Sequence, residues 1–394
     1  MPPDIRLPHT GTTPGTSPAG LPTRLYLLDL LRGLAAVVVV VWHYQHFYYI
    51  APERLPLDFA RSVQPFYEWL SIFYHYGYHA VRLFFSLSGF VFFFQYAEKI
   101  RARKVSDREF FLLRFSRLYP LHLATLLLVA LGQIVSSRVL GESIVYPCND
   151  VRHFVLNLLF MTDWMPKQVT CLSFNSPIAS VSVEVFLYAV FFGFALLLPK
   201  RFAGQLLCTL AVIGFSVTLY LLNGYHLFGE PVFCFFSGGL ACLLWTRMHE
   251  NGWSRRWTMG LTLVLAAASV RWIAVNGANN AVLGTLVYPP MIFILAQIQS
   301  SHHNLGQKVR LLGDITYSTY LVHFPLQLTI MLVARGNGYD VDYSNPGIFL
   351  LFFLALFLIS VPVYHYFEMP AQRALRRWML PERTSEFRVN VQEA

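Results

Sequence analysis

The chain has 394 residues, of which 55% are hydrophobic and only 13% charged, a balance too apolar for a soluble domain of this length. A net charge of +9 would suggest a nucleic-acid partner in a soluble protein. Here the Lys and Arg residues fall mostly in short loops between apolar runs, the pattern by which membrane proteins set their orientation, so nucleic-acid binding is excluded and lipid is the medium.

Residues 1–23, rich in Pro, Thr and Gly, read as a disordered cytoplasmic tail. They do not read as a signal peptide, because the apolar run begins too late and is too long. From Leu25 to Tyr44 the chain is almost wholly apolar and long enough to cross a bilayer as one helix. Asp29, Arg32 and His43 interrupt it. Asp29 and Arg32 are neighbours three residues apart. Eleven helical steps separate Arg32 from His43, which puts both on one stripe, within about 20° and about 16 Å apart. Ionisable groups inside a membrane usually face a bundle interior or a wet cavity.

Ten apolar spans follow in order, near 25–48, 73–96, 115–136, 180–198, 205–222, 230–246, 257–275, 281–299, 312–333 and 347–367. The basic stretch before the third span carries Lys99, Arg101, Arg103, Lys104, Arg108, Arg114 and Arg117, and alternate loops repeat the bias with Lys200, Arg201, Arg255 and Arg256. Both termini are therefore predicted to be cytoplasmic. The one long outer segment, 137–179, holds a short apolar piece from His153 to Trp164, read as interfacial or re-entrant. It also holds Cys148 and Cys171, which are predicted to pair because oxidation is permitted outside. No zinc-type spacing, phosphate loop or GxSxG elbow occurs in the chain, so no metal is expected. The predicted class is all-α, a polytopic bundle of about ten transmembrane helices at 24–377, with a cytoplasmic tail at 378–394.

This orientation sorts the polar residues into two layers. Arg32, Arg114 and Arg117 lie toward the cytoplasm, whereas His43, Glu184 and His323 lie beyond the midplane, with Tyr317 and Tyr320 on the way. Guanidiniums bind phosphates bidentately. A His with a carboxylate nearby suits proton transfer from a hydroxyl, the carboxylate fixing its tautomer. A donor with a phosphate-rich head and a long arm ending in an acyl group spans both layers, and acyl-coenzyme A has that shape. Arginines at helix starts also serve as anchors, and a buried Glu or His is often structural. A transporter of a glycan precursor, its pathway lined by the same residues, stays open as the alternative function, although paired halves with interrupted helices are not visible.

The opening RLYLLDLLRGLAAVVVVVWH resembles that of the acyltransferase 3 family of integral membrane acyltransferases, whose hallmark is Arg, ten residues, then His. Four stretches agree in order: VRLFFSLSGFVF at 81–92, FLLRFSRLYPLHL at 111–123, NSPIASVSVEVFLY at 175–188 and LGDITYSTYLVHFPL at 312–326. The ending YHYFEMPAQRALRR at 364–377 is similar to the family's as well. The resemblance implies a ten-helix enzyme that moves an acyl group, usually acetyl, from a cytoplasmic thioester such as acetyl-CoA to a sugar hydroxyl. The acceptor would be a carbohydrate of a surface glycan, its precursor or a glycosylated metabolite. Position by position it implies His43 as the catalytic His with Arg32 as its partner, Arg114 and Arg117 as the basic pair opening the third helix, and Glu184 as the acidic residue of the Ser-x-Ser-x-Glu stretch. Combined with the two layers, Glu184 is expected to orient or charge His43, and Arg32, Arg114 and Arg117 to hold donor phosphates. Tyr317 and His323 are expected to bind substrate. Ala179 stands where the family often has Trp, and Arg82 where many members have Asp, so donor or acceptor preference is expected to differ. All three arginines should open onto one cavity that tunnels to His43.

Overall fold

The computed structural model describes residues 21–22, 24–164, 171–223, 227–277 and 279–380; most of the expected N-terminal tail and nearly all of the C-terminal one lie outside the described residues. Helix α1, Tyr26–His43, carries the long apolar run and passes into a 3-10 turn at Tyr44–Tyr48. Then α2 (Tyr67–Tyr76), a 3-10 turn, α3 (Ala80–Phe92), a π-helical segment at Phe93–Ala97 and α4 (Glu98–Arg101) follow without a break as a 35-residue segment, Tyr67–Arg101. The second span thus begins well before residue 73, because the stretch from Tyr67 is amphipathic rather than wholly apolar.

Helix α5 runs 33 residues, Asp107–Val139. Its start lies ahead of the expected 115, since Ser106 caps it by accepting a hydrogen bond from the Glu109 backbone N–H at 3.1 Å. Ser106-x-x-Glu109 has the residues of a capping box at the end of the basic stretch. Arg114 and Arg117 therefore sit inside the helix rather than at its mouth.

Short helix α6, Val151–Leu158, is the only α-helix in the described part of the long loop after α5, which ends in a 3-10 turn at Ser176–Ile178. Next come α7 (Ala179–Leu197), α8 (Phe202–Asn223), α9 (Glu230–Glu250) and α10 (Arg255–Asn276). The short α11 (Asn280–Val282) and a π-helical segment lead into α12 (Tyr288–Gln299). One-turn α13 (Arg310–Asp314) precedes α14 (Thr316–Gly336), and α15 (Pro346–Pro362) continues through a third π-helical segment, Val363–Glu368, into α16 (Met369–Met379). No strand occurs among the described residues.

Nine helical segments among the described residues are long and apolar enough to cross a membrane, so the protein is a multi-pass, all-α membrane bundle. The remaining expected span, α14, has 21 residues. Tyr317, Ser318, Tyr320, His323 and Gln327 make it too polar for lipid, and most of them are buried in the bundle, as an intramembrane polar helix must be.

Helix α1 is the central post, packing against α2, α3, α12, α13 and α14. Its approach to α13 depends on two glycines: a Cβ at Gly33 would stand 2.5 Å from the Leu312 carbonyl oxygen, and one at Gly313 would stand 2.6 Å from Asp29 Cβ. Small residues let helix backbones meet closely in membranes, and this contact holds the charged start of α1 against Asp314. On the far side of α3, an aromatic core of Phe90, Phe92, Phe191, Phe235 and Trp245 joins α3, α7 and α9. Phe92 stacks on Tyr188 with centroids 4.8 Å apart, which fixes the face of α7 that carries Glu184.

Candidate active site

At one level of the bundle lies a layer of arginines. Arg24 is paired with both Asp29, at 2.8 Å, and Asp314, and Arg32 Nη1 lies 3.2 Å from Asp29 Oδ1. Arg114 donates to the Tyr96 hydroxyl and lies over the Phe92 and Tyr96 rings, 4.9 and 4.8 Å from their centroids. The π-helical turn at Phe93–Ala97 is what aims Tyr96 at Arg114, because an extra residue in the turn rotates the following side chains. Arg32, Arg114 and Arg117 all line one cavity of about 130 Å³, as the sequence led us to expect.

Glu184 lines the same cavity. Its Oε1 accepts from Ser88 Oγ at 3.0 Å and from the Tyr188 hydroxyl at 2.8 Å. Among the described residues it makes no hydrogen bond to His43, so the expected carboxylate–imidazole pair is absent. The reason is register. On α7 it is Ser180, one turn before Glu184, that reaches α14, meeting the Tyr320 hydroxyl at 2.8 Å. Tyr317 lines the cavity too, with its hydroxyl donating to the Leu118 carbonyl at 2.6 Å.

Beyond Tyr320 lies a layer of three histidines. His43 and His323 stack with centroids 5.0 Å apart, and His43 and His46 lie 4.9 Å apart. Their protons can be assigned from groups that have only one role. His323 Nδ1 is 2.5 Å from the Tyr320 carbonyl; a carbonyl only accepts, so Nδ1 carries the proton and Nε2 the lone pair. That Nε2 lies 3.2 Å from His43 Nδ1, so His43 Nδ1 must donate, leaving the lone pair on His43 Nε2.

The same argument closes His46. Gln327 Nε2 donates to the His43 carbonyl at 3.0 Å, so its Oε1 accepts from His46 Nδ1 at 3.2 Å. His46 Nε2 then accepts from the Tyr146 hydroxyl at 3.3 Å. Both nitrogens of His46 and of His323 are engaged. Among the described residues, His43 Nε2 alone of these histidine nitrogens has no hydrogen bond, and it is not among the unpartnered atoms sealed from solvent. His43, 8% exposed, is the histidine that can accept a proton. His323, expected to bind substrate, is hydrogen-bonded to His43.

The cavity lining stops at Tyr320 and does not include His43. Among the described residues, this cavity by itself does not reach His43. Tyr320 stands at its end, donating to the Pro177 carbonyl at 2.9 Å, with its ring centroid 5.8 Å from that of His323.

Sequence reasoning missed Tyr96, Ser88, Arg24, Asp314 and Gln327. Only Gln327 left a signal, four residues after His323 and hence on the same helical face. Arg82, conspicuous as a departure, is ion-paired with Glu230 at the start of α9. On the loop outside the bundle, Cys148 and Cys171 form a disulfide with Cα atoms 6.0 Å apart. Nearby, Asp150 caps α6, and hydrogen bonds from the His153 backbone N–H and ring hold its carboxyl below the usual range.

A family model described as an acyltransferase domain matches residues 25–365. The chain belongs to the acyltransferase 3 family. Its membership makes the protein a membrane acyltransferase and removes the transporter alternative. Among curated relatives, this acyltransferase 3 protein is 26% identical over 333 residues to acyltransferase MdmB of Streptomyces mycarofaciens, covering 76% of this chain and 81% of the relative. A 109-residue stretch is 34% identical to protein 2 in the picA locus of Rhizobium radiobacter, covering 28% of this chain and 46% of that protein. No solved structure matches the chain.

Proposed function

We propose that this acyltransferase moves an acyl group, acetyl in the first instance, from acyl-CoA to a sugar hydroxyl. The sugar belongs to a surface glycan, its lipid-linked precursor or a glycosylated metabolite. The enzyme works in the cell membrane with both termini and the arginine layer toward the cytoplasm, where the thioester donor is made. The observation that carries this reading is the free lone pair on His43 Nε2 beside a closed chain of hydrogen bonds.

In this reading His43 Nε2 takes the proton of the acceptor hydroxyl as the oxygen attacks the thioester carbonyl. The carbon–sulfur bond then breaks, and the proton on His43 passes to the departing thiolate. His323 accepts from His43 Nδ1 throughout, keeping Nε2 as the reactive nitrogen. Glu184 serves at the arginine layer, placing negative charge among Arg32 and Arg117. The residues there suit a phosphate-bearing donor: Arg114 and Arg117 have no carboxylate in ion-pair range among the described residues, and the Arg114 Nε is buried without a partner. The donor's arm reaches the histidine layer past Tyr320, which must leave Ser180 and Pro177 to let it through.

Mass spectrometry of surface glycans and secreted metabolites, with and without the gene and with a His43→Ala copy, tests this. A single acetyl increment lost in both deletion and variant is the expected result. An unchanged profile together with no acetyl-CoA turnover by purified protein would end the reading.

A further inference from the structure

The guanidiniums of the bundle fall into two groups. Arg24, Arg32 and Arg82 each lie against a carboxylate. Arg114, Arg117 and Arg376 form no ion pair among the described residues, yet Arg376 reaches the turn of α5 that carries the other two. Arg376 comes from α16, which packs along α5 with Gln372 buried one turn earlier. Its Nε donates to Ser116 Oγ at 3.2 Å, and Ser116 lies between Arg114 and Arg117. Arg376 feels both of those arginines as like charges. Arg114 is 7% exposed, and its Nε has no hydrogen-bond partner.

Three like charges in a partly dry seam repel one another and lose hydration. A group that leaves a buried N–H unpaired beside two further guanidiniums is short of one multivalent anion. Glu184 and Glu368 attract Arg117 only through space: among the described residues neither forms an ion pair with the three guanidiniums, and their printed hydrogen bonds come from Ser88 and Tyr188 and from Ser318. Phosphate offers two charges and several acceptor oxygens in the geometry a guanidinium fork matches.

We infer that Arg376, with Arg114 and Arg117, forms a binding site for a phosphate monoester dianion on the α5–α16 seam, beside the cavity that Arg114 and Arg117 line. The site rests on the three guanidiniums; assigning its phosphate to the acyl-CoA donor rests on the function proposed above. The other source of the same chemistry is a phosphomonoester lipid headgroup.

The test uses the full-length protein in phosphatidylcholine nanodiscs and two probes, adenosine 3′,5′-bisphosphate and adenosine 5′-monophosphate, measured by calorimetry. The wild type should prefer the bisphosphate by about tenfold or more, the scale of one charge-assisted contact. Arg376→Gln should reduce that preference to about threefold or less. Arg376→Lys should keep part of it. Arg373→Gln, which removes an exposed charge one turn earlier, should keep all of it and so controls for net charge. A second arm repeats thermal unfolding in nanodiscs containing phosphatidic acid. Stabilisation of the wild type but not of Arg376→Gln, without a bisphosphate preference, assigns the site to lipid and upholds it. Equal behaviour of wild type and Arg376→Gln toward both phosphates overturns it. Transfer from acetyl-CoA is assayed in parallel; its absence in the wild type would sink the donor reading while leaving the phosphate measurement intact.

Discussion

His43 Nδ1 and His323 Nε2 face each other at 3.2 Å, and a backbone carbonyl decides which of them donates. Because His323 Nδ1 donates its proton to the Tyr320 carbonyl, His323 Nε2 accepts, and His43 must donate from Nδ1 and keep its Nε2 lone pair. In the proposed mechanism the orienting role often held by a carboxylate belongs to His323, whose Nδ1 is held by a carbonyl of its own helix.

His43→Ala should therefore remove transfer without removing the protein from the membrane. General acid–base groups contribute about two to four orders of magnitude, so turnover per inserted molecule should fall by that much. Near-normal turnover by a well-inserted variant would show that another group takes the proton, despite the engaged nitrogens of His46 and His323.

His323→Ala leaves His43 free to take either tautomer. A hydrogen bond that fixes the tautomer acts on the chemical step, so kcat should drop by about tenfold or more, about 1.4 kcal/mol, with the donor KM unchanged. A changed KM at unchanged kcat would instead place His323 among the substrate-binding groups.

Arg117→Lys keeps the charge and loses the planar fork. Donor binding should weaken by about tenfold, equivalent to about 1.4 kcal/mol, while turnover at saturating donor survives. His43→Ala should do the reverse and still bind coenzyme A. Parallel binding and turnover curves for the two variants separate these outcomes.

Cys148 and Cys171 enclose a loop with a sequence separation of 23, part of the segment whose Tyr146 bonds His46. Cross-links of that span stabilise by up to about 3 kcal/mol. Thermal unfolding of the wild type should shift downward on reduction, and Cys148→Ser should start at the lower value and ignore reductant. A wild type indifferent to reductant would show that the bridge contributes nothing.

Glu230→Gln should strand Arg82 in a half-dry setting, where removing one member of a pair costs about 3 kcal/mol or more. Exchanging the two, Arg82→Glu with Glu230→Arg, should recover much of the loss in a thermal unfolding assay. If the double variant is no better than the single one, Arg82 has a role beyond pairing.

Much of this was readable without a structure. The ten-span pattern, the basic loops and the Arg32–His43 stripe follow from composition and from the period of one helix, both local properties. Helix ends were less legible. The start of α5 is written in Ser106-x-x-Glu109, a signal that reading the span from its apolar run alone passes over. The second span was read too short because α2 carries polar residues on one face. Three π-helical segments left no trace in the pattern, although one of them brings Tyr96 to Arg114.

By itself the sequence determined that this is an all-α membrane protein, that it belongs with the acyltransferases, and that Arg32 and His43 share a face of α1. Helical periodicity and the exclusion of charge from lipid act within a segment, so a segment suffices to reveal them. Only the tertiary structure decided who stands beside whom. Glu184 joined the arginine layer and His323 took its place at His43 because α7, α14 and α1 meet at heights set by contacts far apart in the chain. Those contacts are the glycine approach of Gly33 to Leu312 and of Gly313 to Asp29, the Ser180–Tyr320 hydrogen bond, and the stacking of Phe92 on Tyr188. A shift of one helical turn, about 5.4 Å, changes every partner across such an interface while leaving each helix's own pattern untouched.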